Sequence, residues 1–178
     1  MRTKARIATA AILLGLGLVS HGVTATPGLA ATDQGAQTAE VAIHCNSYAE
    51  PVSPGSKELK ITSRSCATDP AKLPPAPSSI NTWYTLVTVY EHVDYGGSSD
   101  TISGQYGSCD SSGYGISNVN QDVSGISSYR LYGTCTVSEK CTGYSFSGTC
   151  SELIWGQSQP YVGATYNDNL RSLWVLQG

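Results

Sequence analysis

Histidine, cysteine, serine and the carboxylates are the residues of this 178-residue chain whose side chains can do chemistry. Their spacing argues against most of the reactions they would support. Serine is abundant, yet no G-x-S-x-G turn presents one as a nucleophile. A serine nucleophile also needs a base and an orienting acid. His92 and Asp94 are the pair on offer, two residues apart at a hairpin tip where the held geometry of catalysis is absent. His44-Cys45 fails as a zinc pair, because neighbours on a strand point to opposite faces. Glu91, Asp94 and Asp100 can be drawn as glycosidase-type carboxylates, but nothing in the sequence sets a working separation. The expectation is a protein that is not an enzyme.

The six cysteines (Cys45, Cys66, Cys109, Cys135, Cys141 and Cys150) are an even set without a C-x2-C pair, which points to three disulfides rather than a metal cluster. Six thiols allow fifteen pairings. Cys45 and Cys66 bracket one segment and are natural partners; the rest stay open. Each bridge around a loop of some twenty residues is worth roughly 3 kcal/mol. With one Phe and one Met in the chain, such bridges supplement a modest core.

The elements that must position these residues begin after residues 1–31. Arg2, Lys4 and Arg6 precede an apolar run from Ile7 to Val19, too short to span a bilayer and the length of an export-signal core. The sequence therefore predicts a signal peptide over 1–31 and a secreted, extracellular protein. Once it is removed, seven Lys+Arg face thirteen Asp+Glu, a balance of −6. A mildly acidic surface with scattered cations excludes nucleic acid and anionic membranes as partners. Residues 32–68 read as a disulfide-tied N-terminal extension, with a propeptide-like segment as the alternative. Residues 69–82, with Pro70, Pro74, Pro75 and Pro77, read as an extended linker. Residues 83–178 form the main domain: short β-rich runs between Gly/Ser/Asn clusters, without amphipathic helical periodicity, which predicts an all-β sandwich.

Within that domain Val87, Val89 and Glu91 alternate with Thr88, Tyr90 and His92, the pattern of a two-faced strand. Tyr95 and the Gly96-Gly97 pair follow. The spacing Tyr90, Tyr95, Gly97 resembles the Greek-key signature of the βγ-crystallins, (Tyr/Phe)-x4-(Tyr/Phe/Trp)-x-Gly. A second half from Thr134 is similar to the first: Gly125 to Leu131 aligns with Asn169 to Val175. Aligning Gly143 with Gly97 places Cys141 at the position of Tyr95 and Thr136 at that of Tyr90, so a cysteine takes over from the aromatic pair. The resemblance implies an all-β, two-Greek-key βγ-crystallin-like sandwich, disulfide-bonded and monomeric.

The resemblance also implies calcium. Microbial members bind it through two copies of (Asn/Asp)-(Asn/Asp)-x-x-(Ser/Thr)-Ser, each ion drawing on the acidic end of one copy and the hydroxyl of the other; calcium takes several hard oxygens. The copies here are Val123 to Ser128, without its acidic pair, and Asn167 to Ser172, with Arg171 where a hydroxyl belongs. One composite site thus keeps Asp168, Asn169 and Ser127, so at most one ion is expected. The other is broken at both ends, with Asp122 one position early. Without an ion, Asn167-Asp168-Asn169 reads as a turn.

Eleven tyrosines offer a further signal, since a rigid face with a polar tip suits protein recognition. Tyr106, Tyr114, Tyr144 and Tyr161 lie in loops and are read as surface candidates; Tyr90, Tyr129 and Trp174 are assigned to the core. The chain looks like the secreted bacterial metalloproteinase inhibitors and killer-toxin-like proteins of the superfamily. That likeness implies a protease as partner and places the inhibitory loop at Gly107 to Ser111 or between Cys135 and Cys150. A calcium-stabilised structural module and an antimicrobial toxin are the alternatives.

Overall fold

The computed structural model describes residues 40–78, 82–120 and 123–178. The proposed signal peptide lies outside them, as does Asp122. Ten strands follow one another: β1 (His44–Pro51), β2 (Glu58–Ala67), β3 (Tyr84–Tyr90), β4 (Ser99–Gly104), β5 (Tyr114–Ile116), β6 (Ser128–Leu131), β7 (Val137–Cys141), β8 (Ile154–Trp155), β9 (Ser158–Gln159) and β10 (Ser172–Leu176). Among the described residues the helical structure is limited to three short 3-10 turns, and no helix is long and apolar enough to cross a membrane.

The sheet order is β8-β7-β10-β5-β2-β1-β4-β3-β6-β9. Two four-stranded blocks are contained in it. In β4-β3-β6-β9 the last strand comes from the second half of the chain, and in β8-β7-β10-β5 the last comes from the first half. This exchange of one strand between two Greek keys is the βγ-crystallin-like arrangement, and it explains why neither half closes its own core. The sheet curls so that both blocks bury one cluster: Val87, Val89, Ile102, Tyr129 and Leu131 from one, Ile116, Leu173 and Val175 from the other. Across it the Tyr129 hydroxyl meets Ser138 Oγ at 2.6 Å, and burial pushes that phenol up to about 12. A bulge between Thr85 and Val87 in β3 turns both Leu86 and Val87 into the core.

The segment before the main domain enters this sheet. The β1–β2 hairpin, closed by the Cys45–Cys66 disulfide, pairs in parallel with β4 through β1 and with β5 through β2, joining the two blocks. An ion pair pins it from inside: Arg64 of β2 meets fully buried Asp100 of β4, and Ser47 of β1 donates to the same carboxylate oxygen at 2.9 Å. The proline-rich segment packs back too, with Trp83 Nε1 donating to the Pro77 carbonyl and its ring 4.9 Å from that of Tyr48.

The second Greek-key hairpin corrects the alignment made from sequence. In the first hairpin Asp94, Tyr95 and Gly97 take left-handed φ of 54°, 66° and 75°; in the second Ser145, Phe146 and Gly148 take 49°, 59° and 77°. Gly148, not Gly143, is the counterpart of Gly97, so the signature reads Cys141, Phe146, Gly148. Cys141 stands where Tyr90 stands, and its disulfide to Cys150 replaces a ring. Tyr95 packs on Tyr90 at 5.5 Å and under Arg130 at 3.8 Å, whereas Phe146 packs on Trp174 at 5.2 Å. A buried serine clasps each hairpin. Ser128 Oγ donates to the His92 carbonyl and accepts from Tyr95 N; Ser172 Oγ donates to the Gly143 carbonyl and accepts from Phe146 N.

Candidate functional site

Strand directions sort the loops into two poles. β1, β4, β6 and β10 end at the same pole, where β3, β5 and β7 begin. That pole carries the 52–57 turn, the 105–113 loop and the 132–136 loop. The opposite pole carries both Greek-key hairpins and the segment around Asp168.

The opposite pole holds the residues expected to bind a cation. Ser127, buried, donates to Asp168 Oδ1 across 3.5 Å, and Asn167 Nδ2 donates to Asp168 Oδ2 at 2.6 Å. Asp168 adopts φ 58° and, with Asn169, is exposed. Its carboxylate lies directly over Gly125, where a Cβ has no room. The sequence-distant halves are therefore brought together, and the carboxylate and hydroxyl face each other. Two side-chain oxygens are few for an ion that takes six to eight ligands. A calcium held here would have to take most of its ligands from backbone oxygens and water. At the second composite position the Asn120 amide, turned so that its donors and acceptors are satisfied, accepts from the Arg171 guanidinium and donates to the Val123 carbonyl. A cation is thus held at the position where the pattern calls for a hydroxyl ligand. Glu139 lies beside Cys141 and Cys150, but those sulfurs are bonded to each other and offer no thiolate.

The residues weighed for catalysis are engaged separately. Glu91 accepts from Ser124 Oγ and from Ser98 N, and these bonds, the Ser124 hydroxyl foremost, hold its carboxyl below the usual range. Asp100 is committed to Arg64. His92 lies against Gly97 and makes no hydrogen bond to Asp94 among the described residues. His44 Nδ1 and Ser99 Oγ meet at 2.9 Å, but no described carboxylate orients that imidazole.

The other pole carries the exposed aromatics Tyr84, Tyr106, Tyr132 and Trp155. Tyr106, 63% exposed, crowns the 105–113 loop, which is braced at every turn. The Cys109–Cys135 disulfide anchors it, making the second and third bridges 109–135 and 141–150. Asp110 Oδ1 accepts from Ser112 N and Gly113 N, both at 2.9 Å, while Oδ2 meets Lys57 Nζ at 2.7 Å. That lysine, with Gly113 N second, holds the Asp110 carboxyl below its ordinary value. Ser108 Oγ accepts from Thr134 N at 2.8 Å, and the Tyr114 hydroxyl donates to the Tyr106 carbonyl at 2.9 Å. Tyr114 is thus a core residue, 3% exposed, and not the surface residue the loop composition suggested; its ring is the floor under this loop. Tyr144 and Tyr161 are exposed, at the opposite pole. Open clefts of about 400 and 380 Å³ flank Tyr106 on the side of the 50–57 segment.

No family model and no curated protein matches the chain. Among solved structures it is similar to a βγ-crystallin domain from Clostridium beijerinckii. A double mutant of that domain is 20% identical over 52% of this chain and 98% of that one, with a TM-score of 0.39. The domain itself is 20% identical over 51% and 97%, with a TM-score of 0.37.

Proposed function

We propose that this protein is a secreted, non-enzymatic binding protein of the protease-inhibitor kind, and that the 105–113 loop is its recognition element. The observation that carries this reading is the bracing of that loop. An inhibitor must enter a protease cleft without being reorganised or cut apart, and affinity rises when the loop is ordered before binding. Here a disulfide, the Asp110 cap, the Ser108–Thr134 bond and the Tyr114 floor all fix the loop from within while leaving Tyr106 exposed. Its composition, Gln-Tyr-Gly-Ser-Cys-Asp-Ser-Ser-Gly, pairs a rigid aromatic anchor with small adaptable polar residues, as recognition loops at the end of a β-sandwich do. The test is a panel of extracellular metallo- and serine proteases assayed with the oxidised full chain at micromolar protein. Saturable, stoichiometric inhibition of one class is expected; no inhibition across the panel overturns the reading.

The approach of Asp168 to Ser127 supports a second role at the opposite pole, calcium-dependent stabilisation by one ion of the weak extracellular class. Millimolar calcium should raise the melting temperature of the parent protein and leave Asp168→Ala unmoved. Equal responses, or none in either, contradict it.

A further inference from the structure

The larger cleft at the recognition pole has a chemistry of its own, beyond protein recognition. It lies between the turn of the β1–β2 hairpin (Gly55, Ser56, Lys57) and the loop carrying Tyr106, Ser108 and Asp110, with Tyr114 also lining it. Its volume of about 400 Å³ is at the small end of ligand clefts, enough for a sugar unit and too small for a folded partner's surface.

The lining selects by charge and shape. Lys57 and Asp110 meet at 2.7 Å and cancel, so the cleft presents neither the uncompensated cation that an anion needs nor the uncompensated carboxylate that a cation needs. An apolar ligand would have to strip water from Lys57, Asp110, Ser56 and Ser108, a cost with no return. A neutral ligand bearing many hydroxyls meets every feature. The ammonium keeps two donors beyond the one given to Asp110, the carboxylate oxygen on Lys57 keeps acceptor capacity, and the Ser108 hydroxyl, which accepts from Thr134 N, keeps its proton to donate. Both charged groups keep solvent contact, with side-chain exposures of 38% and 56%, and can therefore reach a ligand. Tyr106 adds a broad exposed ring against which the C–H face of a pyranose packs. The wall is also pre-ordered, because the Tyr114 hydroxyl fixes the Tyr106 carbonyl, and Lys57 sits 4.8 Å above the Tyr114 ring.

We propose that this cleft binds one neutral saccharide unit, stacked on Tyr106 and hydrogen-bonded by Asp110 and Lys57. The test uses the full oxidised chain with soluble neutral hexasaccharides (β-1,4-glucan, chitin and α-1,4-glucan fragments) and an oligogalacturonate as anionic comparator. Binding is followed by amide chemical shifts and calorimetry up to about 10 mM sugar, where ligands of millimolar affinity saturate. A neutral oligosaccharide should saturate one site with shifts confined to residues 55–57 and 106–114, and Tyr106→Ala should weaken it about tenfold while Tyr106→Phe retains it. Because Tyr106 is exposed, its loss leaves folding intact, which an unchanged melting temperature verifies. No neutral sugar bound at that concentration, preference for the anionic comparator, or equal binding by Tyr106→Ala overturns the proposal. The protease panel reads a different outcome, so either reading can fail while the other stands.

Discussion

The two serines that clasp the Greek-key hairpins give the sharpest prediction about the fold. Ser128 and Ser172 are fully buried, and each hydroxyl makes one donated and one accepted hydrogen bond to hairpin backbone: 2.6 and 3.0 Å in the first half, 2.7 and 3.0 Å in the second. Replacing either by alanine removes little apolar contact but leaves one backbone carbonyl and one N–H without a partner. Each such group costs about 1–3 kcal/mol when buried, about 2–6 kcal/mol for the pair, and because these hairpin groups are only partly buried each variant should lose from the lower part of that range, about 2–4 kcal/mol. With a urea dependence of about 2 kcal/mol per molar, the midpoint falls by roughly 1–2 M. Urea unfolding of Ser128→Ala, Ser172→Ala and the double variant, with disulfides intact, measures this directly. The two single variants should match within about 1 kcal/mol, because the geometries match. A loss under about 0.5 kcal/mol in either, the range of ordinary surface substitutions, would refute the claim that both hairpins depend on the same clasp.

Other consequences follow from the same contacts. Replacing Cys109 and Cys135 by serine opens a loop with a separation of 26 residues, which chain entropy values at about 3.5 kcal/mol, and should abolish inhibition more completely than it lowers the melting temperature; loss of stability with inhibition intact would detach the loop from function. Glu91, held below its ordinary pKa by Ser124 and then Ser98, contributes stability that is fully present above about pH 4.3 and is lost as pH falls through its depressed folded value. Urea midpoints of Glu91→Gln should therefore lie below the parent at neutral pH and converge with it in acid; parallel curves contradict the assignment.

The sequence made the first hairpin legible because Tyr90, Tyr95 and Gly97 each mark a local backbone event. The second was misread because Cys141 replaces its leading aromatic, leaving only Phe146-x-Gly148 of the signature in the sequence; the left-handed angles of Ser145, Phe146 and Gly148 fix the register. The role of the β1–β2 hairpin was hidden for a different reason. Its parallel pairing with β4 and β5 joins residues more than fifty positions apart, and no local periodicity encodes that. A resemblance, and not spacing, paired Asp168 with Ser127, which lie 3.5 Å apart, but the sequence did not reveal that Asn120 engages Arg171. Tyr114 failed as a surface candidate because loop composition says nothing about which ring is folded under the loop. The cleft beside Tyr106 was invisible too, since Lys57 and Asp110 become partners only through the β2–β5 pairing.

Recognition by the pole carrying Tyr106 is open to a direct test. Its most direct measurement compares inhibition of a sensitive extracellular protease by the parent, by Tyr106→Ala and by Tyr144→Ala, whose exposed ring lies at the opposite pole. Tyr106→Ala should lose at least about tenfold, the effect of removing a central aromatic anchor, and Tyr144→Ala should inhibit as the parent does. Parental inhibition by Tyr106→Ala, or loss only in Tyr144→Ala, would contradict that placement.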